Sequence, residues 1–334
     1  MKDWLFRSAA QLMLGTSMAR VIARGRQRGL DSDLDRQIAA VLEAQRILRL
    51  PAIDTMTPPR ARAFAESGLS ALDLPTTAMA EVIDTTVAGR GGPVPVRIFV
   101  PPNAGPNWIV YLHGGGGVIG SIRSSEPVTR LLAAQTGCVV ASVGYRLGPE
   151  HRHPAAIDDA CAAWDALAPR AEGRVAVAGD SFGGYLSAHV DHHTLATGSR
   201  RPDLQILIYP TVDLTLTSPS IERHAEGYLL TKAMMHWFRN NYLNPTDDRR
   251  AVSPWFWPTL RGSARALIAT AGYDPLVDEG DRYADKLRAA GTAVRLRQYP
   301  SLVHGFLSMA GVVVAARAAI DELCADVREL LAGT

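Results

Sequence analysis

The feature that most limits the fold of this chain is a regular alternation of apolar runs with helical patterns from about residue 81 onward. Several runs are apolar throughout, as expected for strands that are covered on both faces. Because alternating strands and helices build parallel sheets, the sequence predicts an α/β fold with a mostly parallel, doubly wound central sheet flanked by helices. The predicted strands are Val94–Val100, Trp108–Leu112, Cys138–Tyr145, Arg174–Ala178, Leu204–Tyr209, Arg265–Ala271 and Ala293–Tyr299.

Helical periodicity fills the intervals between these runs. The first part of the chain, to about Leu74, is also helical in pattern. A helix is expected over Asp31–Leu50, which starts at cap-type residues and stops before Pro51, and another is expected to begin near Pro58. The helices predicted between the strands are Pro127–Thr136, Ala155–Leu167, Gly183–Leu195, Asp278–Ala290 and Val312–Leu331.

One interval breaks the alternation. More than fifty residues between Pro210 and Arg265 contain no good strand, although Thr231–Tyr242 is helical in pattern. A long excursion between central strands is where a lid over a site is inserted. We therefore expect a helical cap segment at residues 1–75, a catalytic domain over residues 76–334, and a second cap segment inserted at about 211–255.

The strongest local motif is the run Gly179–Gly184, which contains the pattern G-x-S-x-G around Ser181. A predicted strand precedes it and a predicted helix follows it. In that setting a tight, strained turn presents a serine hydroxyl above the edge of the sheet, which makes Ser181 a candidate nucleophile. The alternative is an ordinary turn whose serine caps the helix.

A run of glycines, His113–Gly117, directly follows the strand ending at Leu112. Backbone N–H groups of consecutive glycines can point into one space, and such donors stabilise the oxyanion of a tetrahedral intermediate. The amide of Phe182 would complete that oxyanion hole. A phosphate-binding loop is the competing interpretation, but the run lacks the Gly-Lys-Ser/Thr of a P-loop and a suitably spaced acidic partner for a dinucleotide.

A serine becomes nucleophilic when an imidazole accepts its proton and a carboxylate orients that imidazole. Of nine histidines, His304 is the best candidate, because it follows the last predicted strand and would lie at the carboxyl edge of the sheet. His113 is expected to shape the glycine loop. The pair His192–His193 falls within a helix, where solvation or local contacts are expected rather than a zinc site.

Asp274 is the candidate acid, since it follows the predicted strand Arg265–Ala271 by three residues. Its rivals Asp278 and Glu279 fall where the next helix starts, and there an acidic residue commonly caps the helix. The chain order Ser181, Asp274, His304 was not used to choose these residues, and it supports them independently.

With these motifs in place, the chain resembles the hormone-sensitive-lipase-like family of bacterial carboxylesterases in the α/β-hydrolase superfamily, over about residues 80 to 325. The resemblance implies an α/β-hydrolase fold, with Ser181 as nucleophile, Asp274 as acid and His304 as base. It also implies oxyanion donors at the amides of Gly115, Gly116 and Phe182, a cap built from the N-terminal helices and the insertion after Pro210, and short to medium acyl chains. The motifs that carry it are His113–Gly116, Tyr145–His151, Pro154–Asp159, Gly179–Gly184, Asp274–Gly280 and His304–Phe306.

Two positions depart from the family pattern. Phe182 stands where the family usually has alanine, and Gly117 stands where it commonly has a large residue. We hypothesise that the two changes compensate in volume: the larger residue at 182 occupies space that the smaller residue at 117 leaves free. The predicted pocket residues are Gly117, Phe182, Trp255, Trp257 and Phe306, although burial between cap and core is an equal expectation for the two tryptophans.

The composition of the chain argues against several other classes of protein. A net charge of +2, from 35 basic and 33 acidic residues, gives no electrostatic footprint for nucleic acid. Three well-separated cysteines indicate neither a disulfide framework nor a zinc site, and a reducing cytoplasm is the simplest location. No metal, nucleotide or flavin cofactor is implied.

No run of 18 apolar residues is present, so no transmembrane segment is expected. The first 29 residues combine apolar side chains with five arginines. A helix packed over the protein is favoured there, with binding to a membrane surface as the alternative.

The sequence therefore predicts a serine carboxylesterase that takes a small-molecule ester through an acyl-enzyme. Homodimers are common in the family the chain resembles. The same three residues would also cleave lactones, carbamates or amides, because specificity depends on the shape of the pocket. A lipase acting at interfaces and a ligand receptor without catalysis are the further alternatives.

Overall fold

The computed structural model describes residues 33–68 and 74–332. Their centre is an eight-stranded sheet with the order β1-β2-β4-β3-β5-β6-β7-β8. The pairs β1–β2 and β2–β4 are antiparallel and all other pairs are parallel, which confirms the predicted α/β class. The strands are β1 (Glu81–Gly89), β2 (Gly92–Val100), β3 (Trp108–Leu112), β4 (Val139–Val143), β5 (Val175–Asp180), β6 (Leu204–Ile208), β7 (Ala266–Tyr273) and β8 (Val294–Val303).

Strand β1 was not among the predicted strands. It pairs with β2 along its whole length, from Glu81 opposite Val100 to Gly89 opposite Gly92. None of its side chains is fully buried, because it forms the edge of the sheet. An edge strand that stays partly exposed has a weaker apolar pattern than a central strand, which explains why the sequence did not mark it.

Helices cover both faces of the sheet. Alternate residues of a strand point to opposite faces, so Ile109 and Tyr111 of β3 join one hydrophobic cluster while Val110 and Leu112 join another. The helices are α1 (Arg36–Ile47), α2 (Pro58–Gly68), α3 (Ile122–Thr136), α4 (Ala155–Leu167), α5 (Phe182–Thr197), α6 (Pro219–Arg223), α7 (Lys232–Tyr242), α8 (Val277–Ala289) and α9 (Val314–Ala332).

Helix α3 begins five residues before the predicted start at Pro127. Ser121 caps it: its side chain accepts from the backbone N–H of Ser124, and the Ser124 hydroxyl accepts in return from the N–H of Ser121. This capping box satisfies two amide donors of the first turn. The helix therefore starts at the cap and retains Pro127 within its second turn.

The N-terminal segment is tied to the rest of the molecule by specific hydrogen bonds. The Asp35 side chain caps α1, and the Asp35 amide donates to the Ser301 carbonyl at 3.0 Å. In α2, Arg62 donates to the carbonyls of Val118 and Gly148. These bonds tie α1 to strand β8, and they tie α2 to the loops that follow β3 and β4.

The basic N-terminal stretch, for which a packed helix was predicted, lies outside the described residues. Within residues 33–68 and 74–332, none of the helices has the length and apolar character that crossing a membrane requires. The three cysteines are buried free thiols.

Candidate active site

Ser181 occupies the tight turn between β5 and α5. Its backbone has φ 53° and ψ −116°, a left-handed conformation that is strained for a residue with a side chain. A side chain at Gly183 would overlap the carbonyl oxygen of Leu112, so this turn requires glycine beside the serine. The Ser181 side chain makes no capping hydrogen bond to α5, which excludes the capping alternative.

The three residues chosen from the sequence meet at the carboxyl ends of β5, β7 and β8. The Nε2 atom of His304 lies 3.0 Å from Ser181 Oγ, and its Nδ1 atom lies 2.8 Å from Asp274 Oδ2. Asp274 is fully buried, and its other carboxylate oxygen accepts from the amide of Leu276. A carboxylate held in this way keeps the proton of a neutral imidazole on Nδ1 and leaves Nε2 free to accept from the serine.

The rival acids have other partners. Asp278 accepts from the amide of Ser220 and forms an ion pair with Arg223. Glu279 is buried and accepts from the amides of Val212 and Asp213. Burial raises the pKa of Glu279 well above its usual range. The expected capping role is thus replaced by a buried carboxyl that fixes the chain after β6.

The rival histidines also lie apart from Ser181. His193 is 2.9 Å from Asp165, and the His192 ring stacks on Trp257. His113 is buried beneath the glycine run, where its Nδ1 atom lies 2.8 Å from the Gly114 carbonyl. Burial lowers the pKa of His113 to about 4, so its ring is neutral near pH 7. In the described part of the chain, no three His, Cys, Asp or Glu side chains are grouped so as to hold a metal ion.

The glycine run faces Ser181 with its backbone. Gly115 and Gly116 have φ values of 114° and 61°, and a side chain at Gly116 would overlap the ring of Phe238. Among the hydrogen bonds of the described residues, none is donated by the amides of Gly115, Gly116 or Phe182. All three residues line the cavity above Ser181, so their N–H groups remain available to a ligand atom.

Asp180 holds this run in place, and the sequence reasoning did not identify it. Its Oδ1 atom accepts from the Gly114 amide at 2.9 Å and from the Tyr111 hydroxyl at 2.7 Å. Burial raises the pKa of the Asp180 carboxyl, while these two donors act in the opposite direction. The available signal was an acidic residue at the end of an otherwise apolar strand, directly before the candidate nucleophile.

A cavity of about 1120 Å³ opens above Ser181 and His304. Its wall combines residues at the carboxyl edge of the sheet, including Ser181 and His304, with side chains from both segments that were predicted to form a cap. From the N-terminal segment come Leu50, Ile53 and Phe64, and from the insertion come Leu214 and Met235. The wall is largely apolar, which is typical of a site for small organic ligands.

Four of the five predicted pocket residues lie outside the wall of this cavity. Phe182 lines it, and the other four have different surroundings, which for the two tryptophans agrees with the alternative expectation of burial. Trp255 packs against α8 beneath Arg282 and Lys286, and Trp257 packs against the histidines of α5. The remaining two are Phe306, which is buried between Tyr209 and Tyr299, and Gly117, which lies behind the Phe182 ring.

A mostly parallel eight-stranded sheet with a strained serine turn after β5, and with His304 and Asp274 in line beside it, is the architecture of an α/β-hydrolase. A family model described as alpha/beta hydrolase fold matches residues 109–308. Carboxylic ester hydrolase LipN of Mycobacterium tuberculosis is 37% identical over 336 residues, covering 94% of this chain and 88% of that protein.

Two further comparisons agree. Ethyl acetate hydrolase of Pseudomonas putida is 38% identical over 248 residues, covering 70% of this chain and 77% of that protein. The solved structure of a hyperthermophilic esterase from Pyrobaculum calidifontis superposes with a TM-score of 0.82 at 34% identity, covering 88% of this chain and 98% of that one. The chain belongs to the hormone-sensitive-lipase-like family of carboxylesterases within the α/β-hydrolase superfamily.

Proposed function

We propose that this protein is a serine carboxylesterase that hydrolyses small carboxylic esters through an acyl-enzyme. Ser181 is the nucleophile, His304 the general base and acid, and Asp274 the residue that orients the imidazole. The observation that carries the proposal is the continuous pair of hydrogen-bond distances, 3.0 Å from Ser181 Oγ to His304 Nε2 and 2.8 Å from His304 Nδ1 to Asp274 Oδ2.

In the acylation half of the reaction, Ser181 Oγ attacks the ester carbonyl carbon as His304 Nε2 takes its proton. The carbonyl oxygen becomes negative and accepts from the amides of Gly115, Gly116 and Phe182. The intermediate then collapses: the bond to the alcohol oxygen breaks, and His304 returns the proton to that oxygen. The buried Asp274 carboxylate stabilises the imidazolium that exists between the two proton transfers.

In the second half, water attacks the acyl carbon of the Ser181 ester while His304 accepts one of its protons. The same three amides stabilise the oxyanion, the bond to Ser181 Oγ breaks, and His304 returns the proton to that atom. The products are a free acid, a free alcohol and the original enzyme, so no further reactant is needed.

Two observations support an ester as the substrate: the names of similar proteins and the cavity above Ser181. Relatives at 37% and 38% identity are named a carboxylic ester hydrolase and an ethyl acetate hydrolase. The cavity, with its largely apolar wall, offers room for short to medium acyl chains. We propose that the N-terminal helices and the insertion at about 211–255 act together as a cap, because both contribute to that wall.

The test is hydrolysis of p-nitrophenyl esters from acetate to laurate by wild type and by Ser181→Ala. We expect a loss of about 10³-fold or more in kcat for the variant, because the nucleophile is removed while the binding site is kept. Ser199→Ala, two residues beyond the end of α5, is the matched control and is expected to keep wild-type rates. Full activity in Ser181→Ala, or no ester hydrolysis by wild type, would refute the proposal.

A further inference from the structure

A buried arginine lines the cavity at some distance from the reacting atoms. Arg239 lies on the inward face of α7 together with Met235 and Tyr242, at the spacing of successive helical turns. It is only 7% exposed, and it forms part of the cavity wall. A guanidinium carries its charge at all relevant pH values, so this position brings a fixed positive charge into a largely apolar cavity.

No carboxylate neutralises that charge within the described residues. Arg239 donates weakly to the Thr215 carbonyl at 3.4 Å, and its other terminal nitrogen lies 3.0 Å from His236 Nδ1. Its buried Nε atom has no hydrogen-bond partner. Burial lowers the pKa of Arg239, and the charge of Arg249, another cation, lowers it further.

Several other arginines of the chain have the carboxylate partner that Arg239 lacks within the described residues. The partly buried Arg97, Arg146, Arg295 and Arg297 each form an ion pair with at least one aspartate. A buried charge without a partner is costly, whereas an arginine facing a carboxylate gains strong, directional hydrogen bonds. Within the described residues, Arg239 therefore has the properties of a binding residue whose anionic partner is a ligand.

The side chains around Arg239 indicate the chemical character of the rest of such a ligand. Leu214, Leu216, Leu230 and Met235 line the same cavity, so the charged end of the ligand is attached to an aliphatic or other apolar portion. We propose, on the basis of the ester hydrolysis proposed above, that the cavity takes esters that carry a carboxylate, and that Arg239 binds this carboxylate.

The position of Arg239 relative to Ser181 agrees with a bifunctional substrate. Tyr242, three residues further along α7, has its ring 4.7 Å from the ring of Phe182, next to the nucleophile. Three residues of helix correspond to a rise of about 4.5 Å, so Arg239 lies within about one helical turn of Tyr242 and on the same buried face of α7. Arg239 lines the same cavity as Ser181 and His304, so one substrate can place its carboxylate at Arg239 and its ester carbonyl at Ser181. Arg239 then determines specificity without touching the reacting atoms.

The experiment compares esters that differ only in the charge at one end. One series consists of p-nitrophenyl monoesters of adipic, suberic and sebacic acid beside p-nitrophenyl esters of methyl-ended chains of equal length. A second series places the carboxylate on the alcohol side, as butyrate esters of ω-hydroxy acids beside butyrate esters of n-alcohols. The readout is the ratio of kcat/KM for the charged ester to that for its neutral counterpart.

We expect wild type to favour the charged member of at least one pair by about 10- to 100-fold, the range of hydrogen bonds to charged groups. Arg239→Met should bring this ratio close to 1, and Arg239→Lys should restore part of it, because the charge is kept without the planar fork. Arg249→Gln is the matched control: it removes an exposed neighbouring cation, and the ratio should stay within about twofold of wild type.

Two results would overturn the inference alone. In the first, wild type hydrolyses the neutral esters but prefers no charged ester in either series. In the second, a preference exists but survives in Arg239→Met. Absence of hydrolysis in both series would instead remove the proposed ester-hydrolase function, and this inference with it.

Discussion

Gly117 and Phe182 are predicted to be energetically coupled, because the ring of one fills the space that a side chain on the other would need. Gly117 has φ 70°, and a Cβ atom built on it would lie 2.8 Å from Phe182 Cζ and 2.8 Å from Tyr242 Cδ2. Phe182 is itself 1% exposed, packed between Tyr185 and Tyr242. The departures from the family pattern at these two positions therefore belong together.

The magnitude follows from two separate costs of Gly117→Ala. A left-handed backbone costs an alanine about 1–2 kcal/mol, and overpacking against the two rings adds about 1–3 kcal/mol. In a Phe182→Leu background the contact with Cζ is gone, and Tyr242 gains room to move. Most of the overpacking cost should then disappear, so the double variant should be about 1–2 kcal/mol more stable than the sum of the single variants predicts.

The assay is urea unfolding of wild type, both single variants and the double variant. Leucine is preferred to alanine at position 182, because truncation of a buried phenylalanine to alanine costs about 3–5 kcal/mol and would use much of the total stability. Gly198→Ala is the matched control for the backbone cost alone, since Gly198 has φ 72° and open space around it. Additivity of the two single changes within about 0.5 kcal/mol would show that the residues do not share this space.

Two further predictions concern buried ionisable groups. Asp180→Ala removes the acceptor that holds the Gly114 amide and should lower kcat by up to about 10²-fold with little change in KM, because the oxyanion donors lose their alignment; an unchanged kcat on p-nitrophenyl esters would contradict this role. Burial lowers the pKa of His113 to about 4 and that of His189 to about 3, so the folded state keeps both rings neutral while the unfolded chain binds protons below about pH 6.5. Stability should therefore fall as pH decreases from about 6.5 towards 4. Between pH 7.5 and 5, the unfolding free energy of His189→Gln should decrease by about 2 kcal/mol less than that of wild type. Urea unfolding at the two pH values measures this with the exposed His151→Gln as control, and equal decreases in wild type and His189→Gln would refute it.

The central sheet and the three proposed catalytic residues were accessible from the sequence because their signals are local. A strand buried on both faces needs a continuous apolar run, so β3, β5 and β6 appear at nearly their observed bounds. The serine turn needs glycines within two residues of Ser181. His304 and Asp274 were found because side chains that follow parallel strands meet at one edge of the sheet.

The features that the sequence did not reveal depend on neighbours that are remote along the chain. The Asp180 side chain contacts an amide 66 residues earlier, and Trp257 meets the rings of α5 rather than the cavity. Both tryptophans are apolar and close to the cap segment, which is equally compatible with lining a pocket and with packing behind it.

The sequence by itself therefore determined the fold class, the nucleophile turn and the residues beside it, since each depends on backbone geometry or on burial within one element. The tertiary structure alone decided the wall of the cavity, the anchoring of the glycine run by Asp180 and the lack, among the described residues, of a carboxylate beside Arg239. The physical reason is that helical periodicity shows which face of α7 is buried, but only the packing of that face decides whether its arginine meets a carboxylate or an open cavity.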